Sequence, residues 1–486
     1  MTMAAHNSEE ISSSSSFFYG RMARCSFIIW VTTSTLFVLS RLSPTLIFIN
    51  NPALSSSFNS NLPLDPAANS LFAIWCSLGA TLALLCSARF RASNGLLILG
   101  AFLAIAMWGN FLRERVQMGD LPDYIAAGKS LLTETPLPGR YLYPPLLATL
   151  MAGLLQFGEP FAVRVFWGLN LFSVGLFSFL LGKLLERYGF KHIFTSLILL
   201  FFLSINTPIL RTLIYMQVNL HVINLTLLCF VLYPRFRVFS ALSLALAVHL
   251  KSSPVVLALP FLVCFDWRWL TSFGISLLGC ATITALPFGI NPFFNFVQNV
   301  RNIYGVNGVI FRENSIDSFI FSTAMFFGLF AQKAALAIKT SKGLVAVLCL
   351  LTSYLSIRHR SFLKQSKEND IVFNSLPGLT MMMLLMSPLM WEHHPVFVAL
   401  PYLLMLKRLT TPTEWALYGF AYFLEFQVPT FDYYPWSFGR LASPLLLLFL
   451  MLKTSSLSQD GKFFRVGNNI PGDSEILSSQ DTYSKR

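Results

Sequence analysis

Residues 161–182 read FAVRVFWGLNLFSVGLFSFLLG, with Arg164 the one charged side chain in the run. At about 1.5 Å per helical residue, a stretch of this length crosses the ~30 Å hydrocarbon core of a bilayer. A backbone in lipid finds no water, so such a run satisfies its own hydrogen bonds by coiling into a helix. Comparable apolar runs recur near 25–48, 69–88, 95–112, 192–207, 218–233, 238–250, 253–265, 270–287, 318–338, 343–357, 371–390, 394–406, 414–427 and 440–453. Several are shorter than the ~20 residues of a perpendicular span, so they borrow flanking residues, re-enter or break. The expected fold is an all-α polytopic membrane protein.

Composition agrees. Of 486 residues, 55% are hydrophobic and 12% charged, where a soluble domain carries about 25% charged residues. Mean hydropathy is +0.61. The 35 Lys and Arg exceed the 22 Asp and Glu, for a net charge of +13. They sit in short loops beside apolar runs, where basic residues orient helices and meet anionic lipid, so nucleic acid is not expected as a partner. The cysteines Cys25, Cys76, Cys86, Cys229, Cys264, Cys280 and Cys349 form no CxxC pair, which argues against both zinc and a disulfide framework.

Three regions follow: a polar cytoplasmic N-terminus over 1–24, a multi-span membrane domain over 25–453, and a polar, disordered cytoplasmic tail over 454–486. The run from Cys25 lacks a small-residue cleavage site and reads as a retained first span. Basic clusters at Arg89–Arg91, Lys183–Lys191 and Arg235–Arg237 are expected inside, which turns loop 113–140 outward. If both 318–338 and 343–357 cross, the cluster at Arg358–Lys367 falls outside. One of the two is therefore expected to be re-entrant, which puts Trp391-Glu392-His393-His394 on the same outer face as loop 113–140.

Four polar clusters interrupt this apolar sequence. Loop 113–140 carries Asp120 and Asp123 just after an apolar run, and a carboxylate at that depth is costly unless solvated, paired or functional. It reads either as a solvated interfacial loop or as the seat of a general base. Residues from Asp120 to Lys129 can form a short amphipathic helix with Tyr124, Ala127 and Gly128 against the membrane. Gln217 and Asn219 open one apolar run. Lys251 breaks another before Pro254, either snorkelling to headgroups or offering its charge to a phosphate. Ser387 to His394 is the densest cluster. It is either a capped helix end or a contact for phosphate, and the HExxH spacing of a metal site is absent.

In order and spacing these clusters resemble glycosyltransferase family 87, polyprenyl-phosphate-mannose-dependent mannosyltransferases of the membrane-embedded GT-C class. The resemblance is carried by Asp120, Tyr124, Ala127-Gly128, Leu131-Leu132 and Tyr143-Pro144-Pro145. It continues in Gln217 and Asn219 of a Gly-Gln-x-Asn element, with Met216 in place of the glycine. Lys251 and Pro254 match Lys-x-x-Pro, and Asn314-Ser315 keep part of an Asn-Gln-Ser element. Ser387, Pro388, Trp391, His393 and His394 match the late element.

The resemblance implies a GT-C-type bundle of about 12–14 transmembrane helices with the site on extracytoplasmic loops. It implies inverting transfer of a sugar, mannose by analogy, from a polyprenyl-phosphate donor to a glycolipid or glycan acceptor. Asp120 would be the general base and Asp123 its competitor. Lys251, His393 and His394 would bind the donor phosphate. Asp123, Tyr124, Tyr143, Gln217, Asn219, Asn314 and Trp391 would line the substrate. The scheme calls for no metal and no cofactor, and it implies a cell membrane location, bacterial by analogy. The alternative class is a transporter or lipid flippase, suggested by helix breaks near Lys251 and 318–338 and by Arg164 and Glu425 within apolar runs. A third reading is an inactive scaffold of the same fold.

Overall fold

The computed structural model describes residues 119–192, 195, 198–199, 202–203, 206–303, 314–329, 331–359, 367–427 and 438–456. The spans expected before residue 113, both terminal regions and part of the run at 192–207 lie outside these. Among the described residues there are fifteen α-helices and no strand, as expected for an all-α polytopic protein.

Helix α1 (Leu121–Leu132) buries Tyr124, Ala127, Gly128 and Leu131, the i, i+3, i+4, i+7 stripe of an amphipathic helix. Gly128 faces α2 (Pro145–Leu155) and Tyr124 meets Tyr143 and Phe166, so the stripe is buried in protein, which corrects the expectation that Tyr124, Ala127 and Gly128 lie against the membrane. A Cβ on Gly128 would stand 3.0 Å from the backbone nitrogen of Ala152, so this close approach of two helices needs a glycine. Between the helices, Pro144 is extended and Pro145 opens α2, where its missing N–H costs nothing.

Helix α3 (Glu159–Arg187) contains the run that opened the reading. One side buries Phe166, Asn170, Ser173 and Phe177, while Phe172 on the other is 67% exposed. Helix α8 (Trp267–Phe288) likewise exposes Leu286 by 82%. Large apolar side chains turned outward along helices of this length are what a lipid solvent selects. With α11 (Ala331–Arg358), these helices contain the three stretches among the described residues that are long and apolar enough to cross a membrane.

Between α3 and α8, α4 (Thr207–Ile214) leads into an antiparallel hairpin of α5 (Asn219–Leu232) and α6 (Arg237–Leu250). The short connection places the first residue of α5 beside the residue that follows α6. At the closed end Asp266 accepts hydrogen bonds from Tyr233, Arg237 and the Trp269 backbone. Trp269 stacks on Phe261 with ring centres 3.6 Å apart. At the open end α6 stops at Lys251. A tight turn over Ser253–Ala258 and α7 (Leu259–Val263) then return the chain to α8.

Helix α9 (Asn291–Ile303) follows α8. Helix α10 (Ile316–Phe326) ends at Phe327-Gly328, and Gly328 has a φ of +65°. The expected boundary at 338–343 is therefore displaced: 331–338 and 343–357 are one continuous α11. At eleven residues α10 spans about 16 Å, shorter than the ~30 Å hydrocarbon core. Helix α12 (Lys367–Leu385) packs on α11 through Gly378, where a Cβ would meet the Cys349 carbonyl at 2.8 Å. A tight turn at His394–Val398, α13 (Ala399–Met405), α14 (Pro412–Tyr422), a wide helical turn at Phe423–Gln427 and α15 (Gly439–Ser456) complete the described chain.

Candidate active site

The first part of the site is made by α1, the return loop and the turn after α4. Asp120 lies at the start of α1, and its backbone N–H donates to the Tyr215 carbonyl at 3.2 Å. Tyr143 donates its hydroxyl to Asp120 Oδ2 at 2.7 Å. Gln217 Oε1 stands 3.2 Å from the same hydroxyl and 3.4 Å from that of Tyr124. The rings of Tyr124 and Tyr143 meet edge to face at 5.1 Å. Residues distant in sequence thus converge on one carboxylate.

Gln217 reaches this position because α4 ends in a left-handed turn. The Gln217 N–H bonds back to Thr212 and the Met216 N–H to Leu213, the paired closure that requires a positive φ at the residue between. That residue is Met216, with φ +52°. A glycine would take this φ at little cost, and this chain takes it with a side chain that the conformation disfavours.

The second part lies at the open end of the α5–α6 hairpin. Lys251 Nζ donates to Asn219 Oδ1 at 2.9 Å and stands 2.7 Å from His394 Nε2. It also sits 5.4 Å above the centre of the Phe397 ring. The Trp391 backbone N–H donates to His394 Nδ1 at 3.0 Å, fixing the imidazole plane. The Asp120 N–H bonds the Tyr215 carbonyl four residues before Asn219, which accepts from Lys251, so the turn after α4 links the two parts.

The remaining expected residues divide. His393 does not share the Lys251 contact: it packs edge-on against Tyr215 at 5.9 Å and His394 at 4.7 Å. Trp391 contributes its backbone. Asn314 is tied to the late element through its N–H, which bonds the Met390 carbonyl at 2.7 Å. Asp123 is half-buried on α1, and Asp120 rather than Asp123 receives the Tyr143 hydroxyl. Burial, and then the neighbouring Asp120, lift Asp123 above the usual carboxylate range, with Arg140 opposing them.

Sequence reading missed a third element. Glu392 lies between Arg211 of α4, at 2.5 Å, and Arg440 of α15, at 3.8 Å. Both guanidinium groups also act electrostatically on His393. Glu425, noted in the sequence as a charge in an apolar run, is fully buried and interacts with Arg440. The available signal was an arginine at the edge of each of two apolar runs, because charge at membrane depth is retained for a reason.

The model of glycosyltransferase family 87 matches residues 141–388, just over half of the chain. The chain belongs to glycosyltransferase family 87. No curated protein and no solved structure matches it. Within the family 87 match lie Tyr143, Gln217, Asn219, Lys251 and Asn314. Asp120 precedes it and Trp391, His393 and His394 follow it, yet the fold closes them onto residues inside it. Family 87 membership makes the chain a membrane glycosyltransferase.

Proposed function

We propose that this family 87 protein moves a sugar, mannose by the family resemblance, from a polyprenyl-phosphate donor to a glycolipid or glycan acceptor. The transfer takes place on the extracytoplasmic side and inverts the anomeric configuration. The observation that carries the reading is that one turn, Tyr215–Asn219, holds both the Asp120 backbone and Lys251, with Tyr143 on the Asp120 carboxylate at 2.7 Å and His394 beside Lys251 at 2.7 Å.

In this scheme Asp120 accepts the proton of the acceptor hydroxyl, and that oxygen attacks the anomeric carbon. The bond from that carbon to the phosphate oxygen breaks, and its electron pair leaves on polyprenyl phosphate. The leaving group is already an anion of low basicity, so what it needs is charge stabilisation rather than a proton. Lys251 and His394 are placed to supply it, with His393 behind them. Tyr143 holds one oxygen of Asp120 and leaves the other for the acceptor. Gln217, Asn219 and Tyr124 orient sugar hydroxyls.

The helix breaks at Lys251 and Phe327-Gly328 are the features a transporter or flippase would share, and family membership favours transfer. The test is purified protein in liposomes, given labelled mannose either on polyprenyl phosphate or on a nucleotide, with a panel of glycolipid acceptors. Transfer from the lipid donor alone, with an inverted product by NMR, supports the proposal. Transfer from the nucleotide donor, or movement of intact donor across the bilayer without transfer, overturns it.

A further inference from the structure

The loop that carries Tyr143 to Asp120 is held from outside by α9. Asn295 Oδ1 accepts the Leu137 N–H at 3.3 Å. One turn on, Asn299 Nδ2 donates to the carbonyls of Pro138, at 2.8 Å, and Tyr141, at 3.2 Å. The two asparagines stand at i and i+4, hence on one face of the helix. The Pro138 carbonyl also accepts the Tyr141 N–H at 2.8 Å, so Asn299 reinforces the turn that this bond closes. Tyr141 is fully buried and anchors its hydroxyl on the Pro144 carbonyl at 3.2 Å. Tyr143 lies between these two fixed points.

We infer that Asn295 and Asn299 of α9 are positioning residues for the transfer reaction: they clamp the 137–141 turn and thereby set the Tyr143 hydroxyl against Asp120. The inference rests on Asp120 being the base. Neither asparagine was singled out by motif, and neither bonds Asp120 directly. Their chemistry suits the task, because an amide offers the loop a carbonyl acceptor at one position and an NH2 donor at the other. Asn299 is 8% exposed, so water is poorly placed to replace it.

The experiment is a double-mutant cycle of Asn299→Ala with Tyr143→Phe in the purified full chain, together with hydrogen exchange of the amides over 137–143. Asn299→Ala is expected to lower kcat about 10-fold, the equivalent of one charge-assisted hydrogen bond, with donor KM unchanged. In the Tyr143→Phe background it should cost less than about twofold further, since coupled residues are not additive. Exchange at 137–143 should quicken. Equal fold losses in both backgrounds would mean a merely structural role and overturn the inference. Unchanged exchange would overturn the clamp whatever the activity. Full activity of Asp120→Asn would instead refute the base itself and leave the exchange result to judge the clamp. If Asn299→Ala does not fold, Asn295→Ala, which removes only the 3.3 Å bond, takes its place in the same cycle.

Discussion

Tyr143 donates its hydroxyl to Asp120 Oδ2 across 2.7 Å, although the two residues lie on opposite sides of a proline-bounded loop. A carboxylate held this way has one oxygen fixed and a defined direction for the other, which is the preorganisation that the proposed base would need before an acceptor arrives.

Lys251 is bracketed by Asn219 and His394 at 2.9 and 2.7 Å. Replacing it with Met should lower transfer about 10²-fold or more, the usual cost of losing one charge-stabilising group at a developing anion. Lys251→Arg should not rescue, because a planar guanidinium does not fit a gap set for a compact ammonium. Steady-state kinetics with the lipid donor measures both. Arg restoring wild-type rates would refute the point-charge role.

Glu392 offsets two buried guanidinium groups, those of Arg211 and Arg440. Glu392→Gln should destabilise the protein by about 1.5–3 kcal/mol, because it removes the carboxylate that Arg211 and Arg440 share while Glu425 still faces Arg440. Lys129→Ala, which breaks an exposed pair with Glu159 at 2.7 Å, should cost under about 1 kcal/mol. Thermal unfolding in detergent compares them. Similar midpoints for the two variants would show that the Glu392 cluster is not a stabilising one.

Met216 at φ +52° sets two effects against each other. Met216→Gly relieves about 1 kcal/mol of backbone strain but removes a side chain that is 2% exposed, a loss of about 2–5 kcal/mol. Packing should win, and the variant should unfold at a lower temperature than wild type. A higher midpoint would mean that strain dominates.

Asp123 gives a pH signature. A raised folded-state pKa means the native protein holds this proton more tightly than the unfolded chain does. Its contribution to stability is therefore lost as pH rises from the ordinary carboxylate value through the raised one. Asp123→Asn should match wild type in acid, be the more stable of the two at neutral pH, and keep transfer activity. Unfolding midpoints against pH test the sign, and a variant that is less stable at neutral pH would contradict it.

The fold class was legible because lipid leaves a long, readable signature, and the runs at 161–182 and 270–287 map closely onto α3 and α8. The division around 318–357 was not, because Lys339 and Lys342 look like loop residues in a one-dimensional reading. They are helical in α11, and Lys342 pairs with Asp317 of α10 at 2.6 Å. Of the expected site residues, Asp120, Tyr143 and Gln217 meet in one group and Asn219, Lys251 and His394 in another, because their spacing encodes the loop and the hairpin that place them. Arg211, Glu392 and Arg440 stayed hidden because their partnership exists only after α4, the late element and α15 have packed. Met216 was read as a departure from the family's glycine, and its φ of +52° is one that glycine adopts freely.

The most direct measurement of the central claim is sugar transfer by purified wild-type and Asp120→Asn protein, with polyprenyl-phosphate mannose and a glycolipid acceptor panel. Asparagine keeps the shape and an acceptor for the Tyr143 hydroxyl but cannot take the proton. Loss of about 10²–10⁴-fold in kcat, with the variant folded and donor still bound, is the predicted result. Equal rates in the two proteins would contradict the account.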